Sequence, residues 1–249
     1  LGGGAKETHR FLDAALARIA QPLQKQKDGY RFRIPTDPAH IKFRDRLASA
    51  GILDDLRITF DAGPNREFLH RTHPLVATTA DLLFEGALDP GADPREPSTL
   101  ARCGIWASKA VTKRTTVALL RLRHRLIPSD GKPAMLAEEA GAIAWTGNEA
   151  LTLADEGEAA LALIDAKAEG DMDSTIRQQR LAIAISRLGE VKSDLEAYAT
   201  RRAEQLAIDH DRVRAATMRD RRTRVARIAV EAVVPVDIVG LYVIVPEVA

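Results

Sequence analysis

His70 and His73 stand three residues apart in "HRTH", and Cys103 is the only cysteine in the chain. Imidazole and thiolate are metal ligands, but a structural zinc site takes four protein ligands and a catalytic one three. Two histidines with a distant cysteine fall short of either, so His73 reads instead as closing a strand before the helix start at Pro74. Cys103 lacks any local signature of a nucleophile, and no G-x-S-x-G is present. It reads as a small core residue. "GGGAKET" has the composition of a phosphate loop but not the G-x-x-x-x-G-K-[ST] spacing, and no apolar strand precedes it. "DEGE" (155–158) resembles an acidic magnesium box. No buried strand run leads into it, and its acids suit the first turn of a helix.

Arginine is what remains. In "ALLRLRHRLIP" (118–128), Leu120, Leu122, His124 and Leu126 share one parity and Arg121, Arg123 and Arg125 the other. As a strand, this has one apolar face and one guanidinium face. Lys113 and Arg114 come just before it. In "DRVRAATMRDRRTRVAR" (211–227), Arg212, Arg214, Arg219, Arg221, Arg222, Arg224 and Arg227 crowd the end of a helix, among Asp209, Asp211 and Asp220. Cations there complement the helix dipole. Two readings stand for both features: ion pairing with solvation, which is favoured, or contact with nucleic-acid phosphates.

The elements that must carry these residues follow from composition and pattern. The chain has 249 residues, 45% hydrophobic and 29% charged, with a net charge of +1. The near-neutral balance argues against a whole-molecule nucleic-acid binder, and the 4% aromatic content leaves few rings to stack on bases. One cysteine excludes an intramolecular disulfide and suits a reducing compartment. No apolar run approaches the roughly 18 residues of a membrane span, and the opening residues lack the pattern of a secretion signal. The expected location is cytoplasmic, with no membrane partner. Because the chain opens on Leu1 rather than Met, a preceding segment stays open.

Helices are expected over "ETHRFLDAALARIAQPLQ" and "DPAHIKFRDRLASAG", with Gly51 closing the second. "YRFRI" (30–34), "LRITF" (56–60) and "REFLHRT" (66–72) read as strands, and Pro74 opens a helix. The segments 101–111, 115–127 and 134–146 then suggest an antiparallel meander. After about residue 150, Thr152 and Asp155 read as a capping box opening a helix. The next fifty residues or so, without a proline, read as a long helix paired with it. "VARIAVEAVVPVDIVGLYVIVP" is rich in β-branched residues and reads as strands returning to the sheet.

"LHRTHPLVATTADLLFEGALDP", "ARCGIWASKAVTKRTTVALLRLRHRL" and "VPVDIVGLYVIVP", in that order, resemble the region that follows the motor in bacterial Swi/Snf-type helicases. That group includes the RNA-polymerase-associated ATPase RapA. The resemblance covers most of residues 66–249. It implies an α+β fold: an antiparallel β-sheet with packed helices and a long projecting helical hairpin. The expected parts are an N-terminal helix and strand segment (1–65), a meander with one helix (66–150), the hairpin (151–224) and returning strands (225–249).

It also implies a non-catalytic accessory region of an ATP-dependent DNA translocase. ATP and magnesium would belong to a motor outside this chain, since no P-loop lysine or Asp-Glu box is recognisable here. The implied partners are that motor, RNA polymerase or another protein, and double-stranded DNA. A stand-alone scaffold or a double-stranded DNA-binding module are the alternatives. Candidate contact residues are Arg121, Arg123, Arg125, Arg212, Arg219, Arg221, Arg222 and Arg224.

Overall fold

The structure is a computed structural model. It describes residues 4–19, 21–61, 66–89, 91, 93, 100–147, 150–169, 172–218 and 226–247. The chain divides into two compact units, Leu1–Ala101 and Arg102–Ala249. The expected boundary near residue 65 therefore gives way to one at 101/102.

The first unit holds α1 (Ala5–Arg18), α2 (Ile41–Ser49) and α3 (Pro74–Leu88) with a small four-stranded sheet. Its strands are β1 (Gln24–Gln26), β2 (Gly29–Phe32), β3 (Leu56–Thr59) and β4 (Glu67–Phe68), in that spatial order. The β3–β4 pair is parallel and the others antiparallel. Leu12, Ala15, Leu16 and Ile19 form the buried stripe on and just past α1, packed with Phe32, Phe43, Leu47, Ile58 and Leu75. His73 is the N-cap of α3. Its Nδ1 accepts the Leu75 N–H at 3.0 Å, which leaves Nε2 as the protonated nitrogen, donating to Glu67 at 2.7 Å. Both ring nitrogens are thereby spent on capping and on holding β4 to the start of α3.

The second unit is built on a five-stranded sheet of β5 (Cys103–Ser108), β6 (Thr115–Pro128), β7 (Met135–Thr146), β8 (Thr152–Glu156) and β9 (Ile228–Pro246). The spatial order is β5-β9-β6-β7-β8. The expected meander is thus interrupted. The β-branched last strand lies between β5 and β6, antiparallel to β6 and parallel to β5. β6–β7 and β7–β8 are antiparallel hairpin neighbours.

Strand pairing in both sheets is mainly antiparallel, with helices packed on them, so the α+β class holds; in the second unit both faces of the sheet carry helices. On one face, Ala118, Leu120, Leu122, Ile143, Trp145 and Leu241 pack against Val191, Leu195, Tyr198 and Ala199. The last three belong to α6 (Lys192–Met218), and Val191 to the turn before it. α5 (Ser174–Ser186) covers Ile105, Val243 and Val245 on the same face through Leu181 and Ala184. On the opposite face, Val117, Ala142, Ala144 and Ile244 pack with Ala160 of the short α4 (Glu158–Ile164).

The hairpin expected over 151–224 is arranged differently. Thr152 and Asp155 lie in an edge strand, β8, rather than in a capping box. The fifty-residue helix breaks into α5 and α6 at a 3-10 turn, Leu188–Val191, which contains Gly189. Both helices lie on the sheet because their apolar stripes find it, α5 over β5 and β9 and α6 over β6, β7 and β9, a larger apolar surface than the short α4 offers. That burial stabilises them more than helix propensity alone.

Gly141 sets how closely α6 approaches. A Cβ at this position would lie 2.9 Å from Leu122 Cδ1 and 3.1 Å from Tyr198 Cε1. Gly141→Val is expected to destabilise the second unit by about 2 kcal/mol through overpacking. Gly189→Ala, with nothing within 4 Å of its added Cβ, should stay within about 0.5 kcal/mol. Urea unfolding of the two variants checks the contrast.

Candidate functional site

β6 and β9 run well past the ends of their outer neighbours. β5 pairs with β9 only over Leu241 to Pro246, and β8 pairs with β7 only over Ile143 to Thr146. Beyond those points the sheet continues as a three-stranded arm of β9, β6 and β7. Arg102 closes one boundary by donating to the carbonyls of Val239 and Ile238, each at 2.7 Å. Past it, residues 228–237 of β9 and 135–141 of β7 have no strand on their outer edges among the described residues.

The arm has two unlike faces, as the alternation in "ALLRLRHRLIP" requires. Leu120, Leu122 and His124 are buried beneath α6, and Leu126 is half-buried. Arg121, Arg123 and Arg125 lie on the other face, and β9 answers them in register. Arg121 is opposite Asp237 and Arg125 opposite Glu231. Arg121 donates to Asp237 Oδ2 from Nε at 3.0 Å and from Nη2 at 2.8 Å, while Arg123 donates to Asp237 Oδ1 at 3.3 Å. Arg125 pairs with Glu231, its Nε at 3.1 Å, and Glu138 adds a longer contact to Arg121 at 4.0 Å.

The hydrogen bond to Asp237, and then its charge, hold the Arg121 guanidinium above its ordinary range. Three arginines thus meet three carboxylates. Each exposed pair contributes little to stability, and together the three carboxylates offset the charge of the three arginines.

The second set of arginines is dispersed. Arg212 pairs with Asp209 at 3.0 Å on the exposed side of α6. Arg214 and Arg227 both reach Asp211, at 3.2 and 3.3 Å. Arg219, Arg221, Arg222 and Arg224 lie outside the described residues. Of the remaining expectations, Asp155 and Glu156 sit in β8 and Glu158 opens α4, with Glu156 bound by Arg201 of α6. Among the described residues no group of three His, Cys, Asp or Glu side chains is placed to hold a metal. None of the described helices is long and apolar enough to cross a membrane.

A polar cluster under α6 escaped the sequence reading. Glu139, opposite Leu122 in the register, points to the α6 face. Its Oε1 accepts from Arg202 Nε at 2.7 Å and its Oε2 from Arg202 Nη2 at 2.9 Å. His124 Nε2 lies 3.1 Å from the same Oε1, with the imidazole only 1% exposed. The parity of His124 announced its burial. Nothing local announced that Glu139 and Arg202, 63 residues apart, would meet it.

No curated protein and no solved structure matches the chain. Residues 91–249, the last ten or so of the first unit and all of the second, match the family described as a domain of unknown function, DUF8741, and the chain belongs to that family.

Proposed function

We propose that this chain is a non-catalytic accessory region of a Swi/Snf-type, ATP-dependent DNA translocase, and that its arm docks another protein surface against the motor. The observation that carries this reading is the arm itself. Its two outer strand edges have no strand partner among the described residues, and Met135, Leu136 and Val234 on those strands are exposed. Its arginines are neutralised by its own acids. Open edges offer main-chain donors and acceptors to an extended segment of a partner, while alternate side chains supply selectivity. A charge-cancelled face suits a protein better than a phosphate backbone.

The segments that resemble the Swi/Snf-type group include α3, β5, most of β6 and the second half of β9. ATP and magnesium belong to the motor in this reading. RNA polymerase and double-stranded DNA are partners of the whole assembly, in the cytoplasm. The motor's nucleotide state would change what the arm can reach.

Phosphate release by the isolated chain with ATP, magnesium and duplex DNA is expected to match the blank. The reading frame that precedes residue 1 is expected to encode helicase motifs. Motor-like turnover by the chain alone, or a preceding frame without those motifs, counts against the proposal; the latter outcome favours a stand-alone scaffold.

A further inference from the structure

The two outer edges of the arm are not equivalent. β9 falls out of step with β6 between Arg121 and Arg123, and Pro235, which brings no N–H, stands in that break. A bulge and a proline both discourage an edge from accepting another strand. β7 has neither. It pairs with β6 in one unbroken register from Met135 to Thr146 and contains no proline. Its outer neighbour is cut short instead. β8 ends at Glu156, opposite Ile143, and Gly157, at a φ of 64°, turns the chain into α4. There the Ala142 carbonyl accepts the Gly157 N–H at 2.8 Å.

The main-chain groups of Ala142 therefore point outward. With a period of two, so do those of Ala140, Glu138 and Leu136. Among the described residues no strand lies against these three. Their side chains stand on the arginine face, opposite Arg121, Arg123 and Arg125 in register. Leu136 is exposed. Glu138 is held loosely. Asp237 takes Arg121 and Arg123, and Glu231 takes Arg125. Glu138 keeps a contact of 4.0 Å to Arg121, which Asp237 already binds at 2.8 Å. This outer strand thus offers one apolar and one acidic side chain, two residues apart, beside a row of free main-chain groups.

We propose that the β7 edge takes up an extended peptide segment in the line that β8 vacates, with a basic residue beside Glu138 and an apolar residue two positions away beside Leu136. Main-chain hydrogen bonds hold such a segment, and the cross-strand side-chain pairs select it. The inference rests on the docking role of the arm and narrows it to one edge and one peptide chemistry.

The test selects a phage-displayed heptapeptide library on the full chain, with wild type and Glu138→Lys in parallel. Wild type is expected to enrich peptides with Lys or Arg two residues from Leu, Ile, Val or Phe. Glu138→Lys is expected to bind those peptides about tenfold more weakly and to favour Asp or Glu in the basic position. Thermal unfolding checks that this variant is folded; Glu138→Gln, which removes the charge alone, replaces it if it is not. Hydrogen exchange with a selected peptide bound is expected to slow the amides of Leu136, Glu138 and Ala140 and to leave those of 228–233 unchanged. Protection at 228–233 instead overturns the choice of edge and leaves the docking role of the arm standing. Peptides that protect neither edge overturn both. The same charge preference in the two pools, or no enrichment in either, overturns the inference.

Discussion

Trp145→Ala is expected to destabilise the second unit by about 4 kcal/mol, at the upper end of what emptying a core site costs. The indole is fully buried on β7 against Val191 and Leu195. It is also tied, since Nε1 donates to Asp194 Oδ2 at 3.0 Å in the first turn of α6. Truncation therefore does two things: it leaves a cavity where the sheet meets α6, and it strips a carboxylate of its partner. Trp145→Phe separates these effects. It keeps most of the apolar contact and loses the donor, so its cost should be about 1–2 kcal/mol. Urea unfolding reads both, as a lower midpoint at unchanged slope. A Trp145→Ala loss below about 1 kcal/mol would mean that α6 does not seat on this face.

The second large effect is expected at Glu139. Glu139→Ala should cost about 3 kcal/mol, because it removes one side of a largely buried ion pair and leaves the other charged. Arg202 is 21% exposed, Glu139 13% and His124 1%. Solvent thus relieves little of the penalty. His124 loses its Nε2 partner as well, and its Nδ1 is already buried without a hydrogen bond among the described residues. The combined change Glu139→Leu, Arg202→Met and His124→Leu should recover most of the loss, since apolar groups of similar volume need no desolvated partner. Thermal and urea unfolding of the single and triple variants test this. A triple variant no more stable than Glu139→Ala would show that the cluster stabilises the unit outright.

The legible parts were those with a strong local period. Residues 120–126 alternate because one face of β6 is buried under α6 and the other is wet. Leu12, Leu16 and Ile19 lie at helical spacing because α1 has one neighbour side. The β6 arginines are ion-paired, but their partners Asp237 and Glu231 sit more than 100 residues away, beyond the reach of any local pattern. What could not be read was pairing at a distance. "TLADE" is weakly patterned and flanked by helix formers, yet β7 recruits it as an edge strand. The insertion of β9 between β5 and β6 leaves no trace in any short window.

The position of β9 has a consequence for how the chain comes off the ribosome. The sheet's central hydrogen-bonded ladder runs between β6 and β9, whose partners are separated by about a hundred residues or more. β5 touches the rest of the sheet only through β9. Until the segment ending at Pro246 has emerged, β6 and β7 form a bare hairpin and α5 and α6 have half a surface to cover. Such long closures are slow. The second unit is therefore synthesised almost whole before it can close, and its apolar strands stand open during that interval. The first unit, whose described strands and helices all lie before residue 90, has no such wait.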